Sequence, residues 1–262
     1  MRRLLLLTLL LAASGCRTDV IDGTTVIQTT RESGIQLAAT YHRQSSAERL
    51  PSLVLIHDSS PGEDRTAFEP LWDLLVDQGY NLLAVDLRSH GQSDTAGSPD
   101  DLDTDPTGYP EDVRTWMEFL AERQADGDPV DAERVGILGL GVGASLAVGS
   151  VQAGLTQCAV AISPRIEQLE ALRPGLLTAA GDDDDSAGDD DDGGDFGPTM
   201  ETAFIDGSES PSADDTQALY DEAQDDKSLL LVEAPNSAAL LLEDFDDVKI
   251  TSTSWCWAQL SQ

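Results

Sequence analysis

The chain of 262 residues carries 49 aspartates and glutamates against 15 lysines and arginines, a formal net charge of −34 at pH 7. So anionic a chain repels phosphate backbones and acidic headgroups, which argues against nucleic acid and anionic membrane surfaces as partners, and it would suit a cation-rich environment. The length exceeds an ordinary domain but is normal for a single α/β fold, so one domain with a sizeable core is expected.

In chain order, Met1-Arg2-Arg3 precedes an unbroken apolar run over residues 4–13 and then Ser14-Gly15-Cys16. This is the charged start, apolar middle and small-residue exit of a secretory signal, too short for a permanent membrane helix. The small-small-Cys ending resembles the bacterial lipobox, with Ala13 where leucine is usual, and the resemblance implies cleavage before Cys16 and lipid attachment to it. Arg17 is not the inner-membrane retention aspartate of that picture, so an exported envelope lipoprotein is expected, in the outer membrane by default if the cell has one. Residues 1–15 are thus read as the leader, 16–23 as anchor and linker, and 24–262 as the folded domain.

Thr24-Thr25-Val26-Ile27, a turn at Ser33-Gly34 and an alternating stretch over 35–42 predict an antiparallel hairpin. Residues 52–56 form a continuous apolar run typical of a strand buried on both faces. Helices are predicted over 67–78, closed by Gly79, and over 111–124 after Pro110, the latter burying Val113, Trp116, Met117 and Leu120. Strands are expected at 82–85, 135–138, 158–162, 175–179 and 228–232. Further helices are expected at about 144–151, at 215–223 and up to Leu260. Strands alternating with helices at this spacing predict a mostly parallel sheet covered on both faces. Cys158 and Cys256 either pair, as export would permit, or stay as two buried apolar thiols.

The run Asp86-Leu87-Arg88-Ser89-His90-Gly91-Gln92-Ser93 is similar to the D-x-R-G-H-G-x-S turn of α/β-hydrolases, and the stretches 111–113 and 130–136 match the approach to their nucleophile strand. The chain therefore resembles a serine-hydrolase type of α/β-hydrolase, of the dienelactone hydrolase and esterase kind, from the hairpin to the final helix. The resemblance implies a nucleophile in G-x-S-x-G, on a tight strand-to-helix turn. Here the turn reads Gly139-Leu140-Gly141-Val142-Gly143, and Gly141 holds the nucleophile position without a side chain. The histidine position after the last strand is Asn236, whose amide cannot take a proton from an alcohol at neutral pH. The acid, three residues after the glycine ending its strand, is expected at Asp184, with Asp183 as the close alternative. His57, Asp58, Ser59 and Val142 mark the former oxyanion region, with Asp58 in place of a glycine. No catalytic residue is expected from this degenerate triad.

An acidic, low-complexity insertion spans about 182–214, with aspartate runs at 182–185 and 189–192. Having nothing to bury, it is expected to be a solvated loop at the carboxyl edge of the sheet, attracting divalent cations only weakly. An EF-hand started at Asp190 would place Asp195 where glycine is required, so no metal site is expected. No cofactor motif is present. The leading expectation is a membrane-tethered, non-catalytic binding or scaffolding module, whose small-molecule or protein ligand the sequence does not specify. The alternative is a hydrolase of ester or related bonds using Ser145, His57 or His90 in a nonstandard constellation. A third, cation-buffering role rests on composition alone.

Overall fold

A computed structural model of the protein describes residues 23–94, 108–180, 201–223, 227–232, 241–242 and 244–260. Eight strands form one sheet in the order β1-β2-β4-β3-β5-β6-β7-β8. β1 (Thr24–Thr29) and β2 (Gln36–His42) make the hairpin, and β2 also runs antiparallel to β4 (Asn81–Val85). β3 (Leu50–Ile56), β4, β5 (Val130–Leu140), β6 (Cys158–Ile162), β7 (Glu201–Gly207) and β8 (Lys227–Val232) are mutually parallel. The helices described over their whole length are α1 (Glu69–Gln78), α2 (Tyr109–Ala125), α3 (Val142–Gln152), α4 (Ile166–Ala180), α5 (Ala213–Glu222) and α6 (Asp246–Leu260), with a short 3-10 turn at Arg65–Phe68.

Alternation along the central strands explains the three layers, because successive side chains leave a strand on opposite faces. Leu53 and Leu55 of β3 pack with Leu71 and Leu75 of α1 and with Val248 and Leu260 of α6. Val54 and Ile56 face the other way, onto Val113, Trp116 and Phe119 of α2, Leu146 of α3 and Leu172 of α4. Met117, expected in the core, is only partly buried and Phe119 takes that place. Cys158, the first residue of β6, is joined by a disulfide to Cys256 of α6, with Cα atoms 5.7 Å apart. The hairpin is pinned to α2 by Glu111, whose Oε1 accepts from the backbone N–H groups of Glu32 and Ser33 at 2.6 and 2.9 Å.

Two expectations are corrected here. Residues 175–179, read as a strand, are the last turns of α4. The run Leu176-Leu177-Thr178-Ala179 follows Pro174-Gly175, a pair that suggests a break. Instead, Leu169, Leu172 and Leu176 recur at helical spacing and bury one face. Gly175 permits the close packing, since a Cβ there would lie 2.8 Å from Cγ of Pro110. Conversely, β7 and the start of α5 lie within the stretch assigned to the insertion, because Ala203, Phe204 and Ile205 are buried core. The aspartate runs, which lie outside the described residues, therefore precede β7 rather than follow it. Glu201 pairs with Cys158 at the amino end of the parallel strands, opposite the end at which β5 leads into the next helix.

Candidate functional site

β5 turns into α3 through Gly141, whose φ of 56° and ψ of −114° form a sharp turn that side-chain-bearing residues rarely adopt. The flanking glycines are required by contact: a Cβ on Gly139 would lie 2.0 Å from the Gly143 carbonyl oxygen, and one on Gly143 would lie 2.1 Å from that of Ile56. The Gly141 N–H donates to Ile162 O at 2.9 Å, which fixes the turn against the end of β6. The strand-turn-helix geometry of a nucleophile elbow is thus retained around a residue that supplies no nucleophile.

The space beside Gly141 is filled from the loop that follows β3. Asp58 Oδ1 accepts a hydrogen bond from the Val142 N–H at 3.0 Å, and its Oδ2 accepts one from Ser60 Oγ at 2.6 Å. A Cβ on Gly141 would lie 2.1 Å from Asp58 Oδ1 and 2.3 Å from its Cγ. Of the expected oxyanion residues, Asp58 and Val142 are therefore brought into direct contact, while His57 and Ser59 serve the framework. The aspartate where the family turn has glycine was the sequence signal for this contact.

His57 is fully buried, and its Nε2 accepts from the Leu87 N–H at 3.0 Å. Its Nδ1 must then carry the proton, which it donates to the Asp58 carbonyl at 2.6 Å. Burial pushes its pKa down to about 4. His90 places its two ring nitrogens 3.0 Å from Arg88 O and 2.9 Å from Ser59 O. Neither ring has a nitrogen left for an alcohol at the elbow. Ser145, also buried, accepts from the Arg165 N–H at 3.0 Å and so ties α3 to the segment before α4.

The acid position moves with the corrected strand. Asp184 depended on a strand ending at Gly181, and that segment is α4; Asp184, Asp183 and Asn236 themselves lie outside the described residues. The strand that does occupy this place, β7, ends Ile205-Asp206-Gly207, and three residues beyond that glycine stands Ser210. Asp206 is buried and accepts from Ser163 Oγ and Ser210 Oγ at 2.7 Å and from the Gly207 N–H and Thr216 Oγ1 at 2.8 Å. Its four neutral donors make it the anchor of the β7–α5 turn and of Ser163, which holds a left-handed φ of 57°. An apolar run closing in Asp-Gly was the signal that would have located it.

The Asp86–Ser93 turn is likewise structural. Asp86 is ion-paired with Arg65 and accepts from the Gln92 N–H at 2.8 Å; burial pushes its pKa up. Arg88 pairs with Asp112 and, at 3.2 Å, with Glu111. Among the described residues, no cluster of three or more histidines, cysteines or carboxylates is arranged to hold a metal, and no helix is long and apolar enough to cross a membrane.

Comparison with known structures places this geometry. An esterase of Pyrococcus furiosus is similar with a TM-score of 0.63 at 18% identity, covering 90% of this chain and 92% of its own. An acetyl ester-xyloside bifunctional hydrolase from Caldicellulosiruptor lactoaceticus gives 0.61 at 14% identity, covering 95% and 98%. An esterase of Pyrobaculum calidifontis gives 0.60 at 14% identity, covering 91% and 84%. No curated protein sequence matches the chain. At such identities the likeness concerns the fold. The model of the alpha/beta hydrolase family, however, matches residues 53–252, from β3 into the last helix, and the chain belongs to that family.

Proposed function

We propose that the protein is a non-catalytic member of its family, an exported lipoprotein that uses the retained scaffold to bind a ligand or partner. One observation carries the reading: the elbow keeps its turn and its packed glycines, but the residue at its apex is Gly141, with Asp58 filling the space a nucleophile would need. Without an oxygen there, no acyl-enzyme can form, and no protonation change substitutes for the missing atom. Asn236 at the base position adds a second, independent loss in sequence. The esterases with similar structures share the fold, which is not evidence of turnover here. Treatment of the purified protein with a serine-hydrolase fluorophosphonate probe and a panel of chromogenic esters should give no labelling or turnover above a heat-denatured control. Robust turnover abolished by Ser145→Ala, and spared by Asn236→Ala, would overturn the reading.

The tether is part of the same proposal. The chain as a whole carries a net charge of −34 and is repelled by an anionic bilayer, so retention at the envelope would rest on acyl chains at Cys16 rather than on electrostatics. Mass spectrometry should find Cys16 as a lipidated N-terminus, and Cys16→Ser should move the protein from the membrane to the soluble fraction. Membrane association unchanged by that substitution would count against the anchor.

A further inference from the structure

The contact between Asp58 and Val142 is more than a filled space. In an elbow of this kind, the backbone N–H of the residue after the nucleophile is a donor to the oxygen that gathers negative charge during acyl transfer. Here that residue is Val142, the first of α3, an eleven-residue helix whose amino end favours an anion. Its N–H is already spent, on a carboxylate oxygen of the protein itself at 3.0 Å. The same oxygen lies 2.1 Å from where a side chain on residue 141 would begin.

Asp58 is held there from three directions. Its carbonyl accepts the proton of His57 Nδ1 at 2.6 Å, its Oδ2 accepts from Ser60 at 2.6 Å, and its Oδ1 accepts from Val142. The buried His57 ring is itself fastened to the Leu87 N–H, so the backbone presenting Asp58 is anchored to the start of the Asp86–Ser93 turn. A carboxylate presented in this way competes at an effective concentration on the order of millimolar or more against any free anion.

We propose that Asp58 is a built-in occupant of the oxyanion hole, and that the elbow is a site for a small monocarboxylate kept closed by this side chain. The inference rests on the reading of the elbow as non-catalytic, because a nucleophile at residue 141 and the Asp58 carboxylate cannot share one volume. It gives the latent site a ligand class: an anion with one carboxylate oxygen to place on the Val142 N–H. Any natural ligand that uses the hole must first displace Asp58.

The test is a sodium butyrate titration of the 15N-labelled protein, read at the Val142 backbone amide. The wild type and Asp58→Asn, which keeps an acceptor oxygen in place, should show no saturable shift, and Asp58→Ala should show one. Even without added ligand, Asp58→Asn should move the Val142 amide proton upfield, since a neutral acceptor replaces a charged one. A double-substitution cycle gives an independent readout: Gly141→Ala should lower the melting temperature less in the Asp58→Ala background than in the wild type, the backbone strain at residue 141 being common to both. A Val142 amide indifferent to Asp58→Asn, an equal butyrate response in the wild type, or a Gly141→Ala loss independent of Asp58 would each overturn the proposal. Ester turnover by the wild type would instead sink the non-catalytic reading and leave the Val142 result standing on its own.

Discussion

Burial strips an imidazolium of its hydration, and His57 is fully buried. Its pKa falls from 6.5 to about 4, chiefly by desolvation. A folded pKa below the unfolded one means that the unfolded chain binds the proton first. The stability contributed by neutral His57 is therefore complete above pH 6.5 and is lost as the pH falls from there towards 4, by about 3 kcal/mol in all. Asp112 works in the opposite sense, because burial raises its pKa against the pull of Arg88, so protonating it in acid favours the fold. Glu111 belongs to a lower window: burial opposes its ionisation, yet the Ser33 and Glu32 donors and Arg88 hold it down to about 2, and its contribution is lost only below pH 4.5. Comparison with His57→Gln isolates the histidine. Urea denaturation at pH 7 and pH 4.5 should show a markedly smaller loss of stability in the variant than in the wild type, whereas parallel losses would place the acid sensitivity elsewhere.

At the scale of elements, the disulfide staples the first residue of β6 to α6 across a sequence separation of 98. Its main effect is on the unfolded chain, where closing so long a loop removes conformational freedom. Replacing Cys158 and Cys256 together by serine should cost about 2–4 kcal/mol in denaturant unfolding. The same loss should follow reduction of the native protein, and an unfolding midpoint insensitive to reductant would show that the bridge contributes nothing. The elbow illustrates a different dependence. Gly139 and Gly143 are fixed by contacts with α3 and β3, so the turn keeps its shape whatever residue stands at its apex.

For the whole molecule, the excess of 49 acidic over 15 basic residues makes self-repulsion a general cost of compactness. The ion pairs that offset it among the described residues are mostly exposed, and exposed pairs contribute little. Raising the ionic strength shortens the Debye length from about 30 Å at 0.01 M to about 3 Å at 1 M. The melting temperature should therefore rise with sodium chloride over that range. A melting temperature that is flat or falls would mean that the carboxylates are spaced widely enough not to matter.

The amino-acid order alone determined the anionic character, the hairpin, most of the parallel strands and the glycine at position 141, because these depend on residue identity and on short-range periodicity. Local pattern misread the stretch around residues 175–179, where Pro174-Gly175 resembles a break and only packing against α2 and α3 makes the segment helical. That one error placed the expected acid at Asp184, after a stretch that is helix rather than strand. The tertiary structure also decided between paired and free cysteines, and assigned His57 and His90 to the framework through the atoms their rings face. The Asp58 carboxylate on the Val142 N–H joins residues 84 positions apart, at a distance only the pairing of β3 with β5 can set.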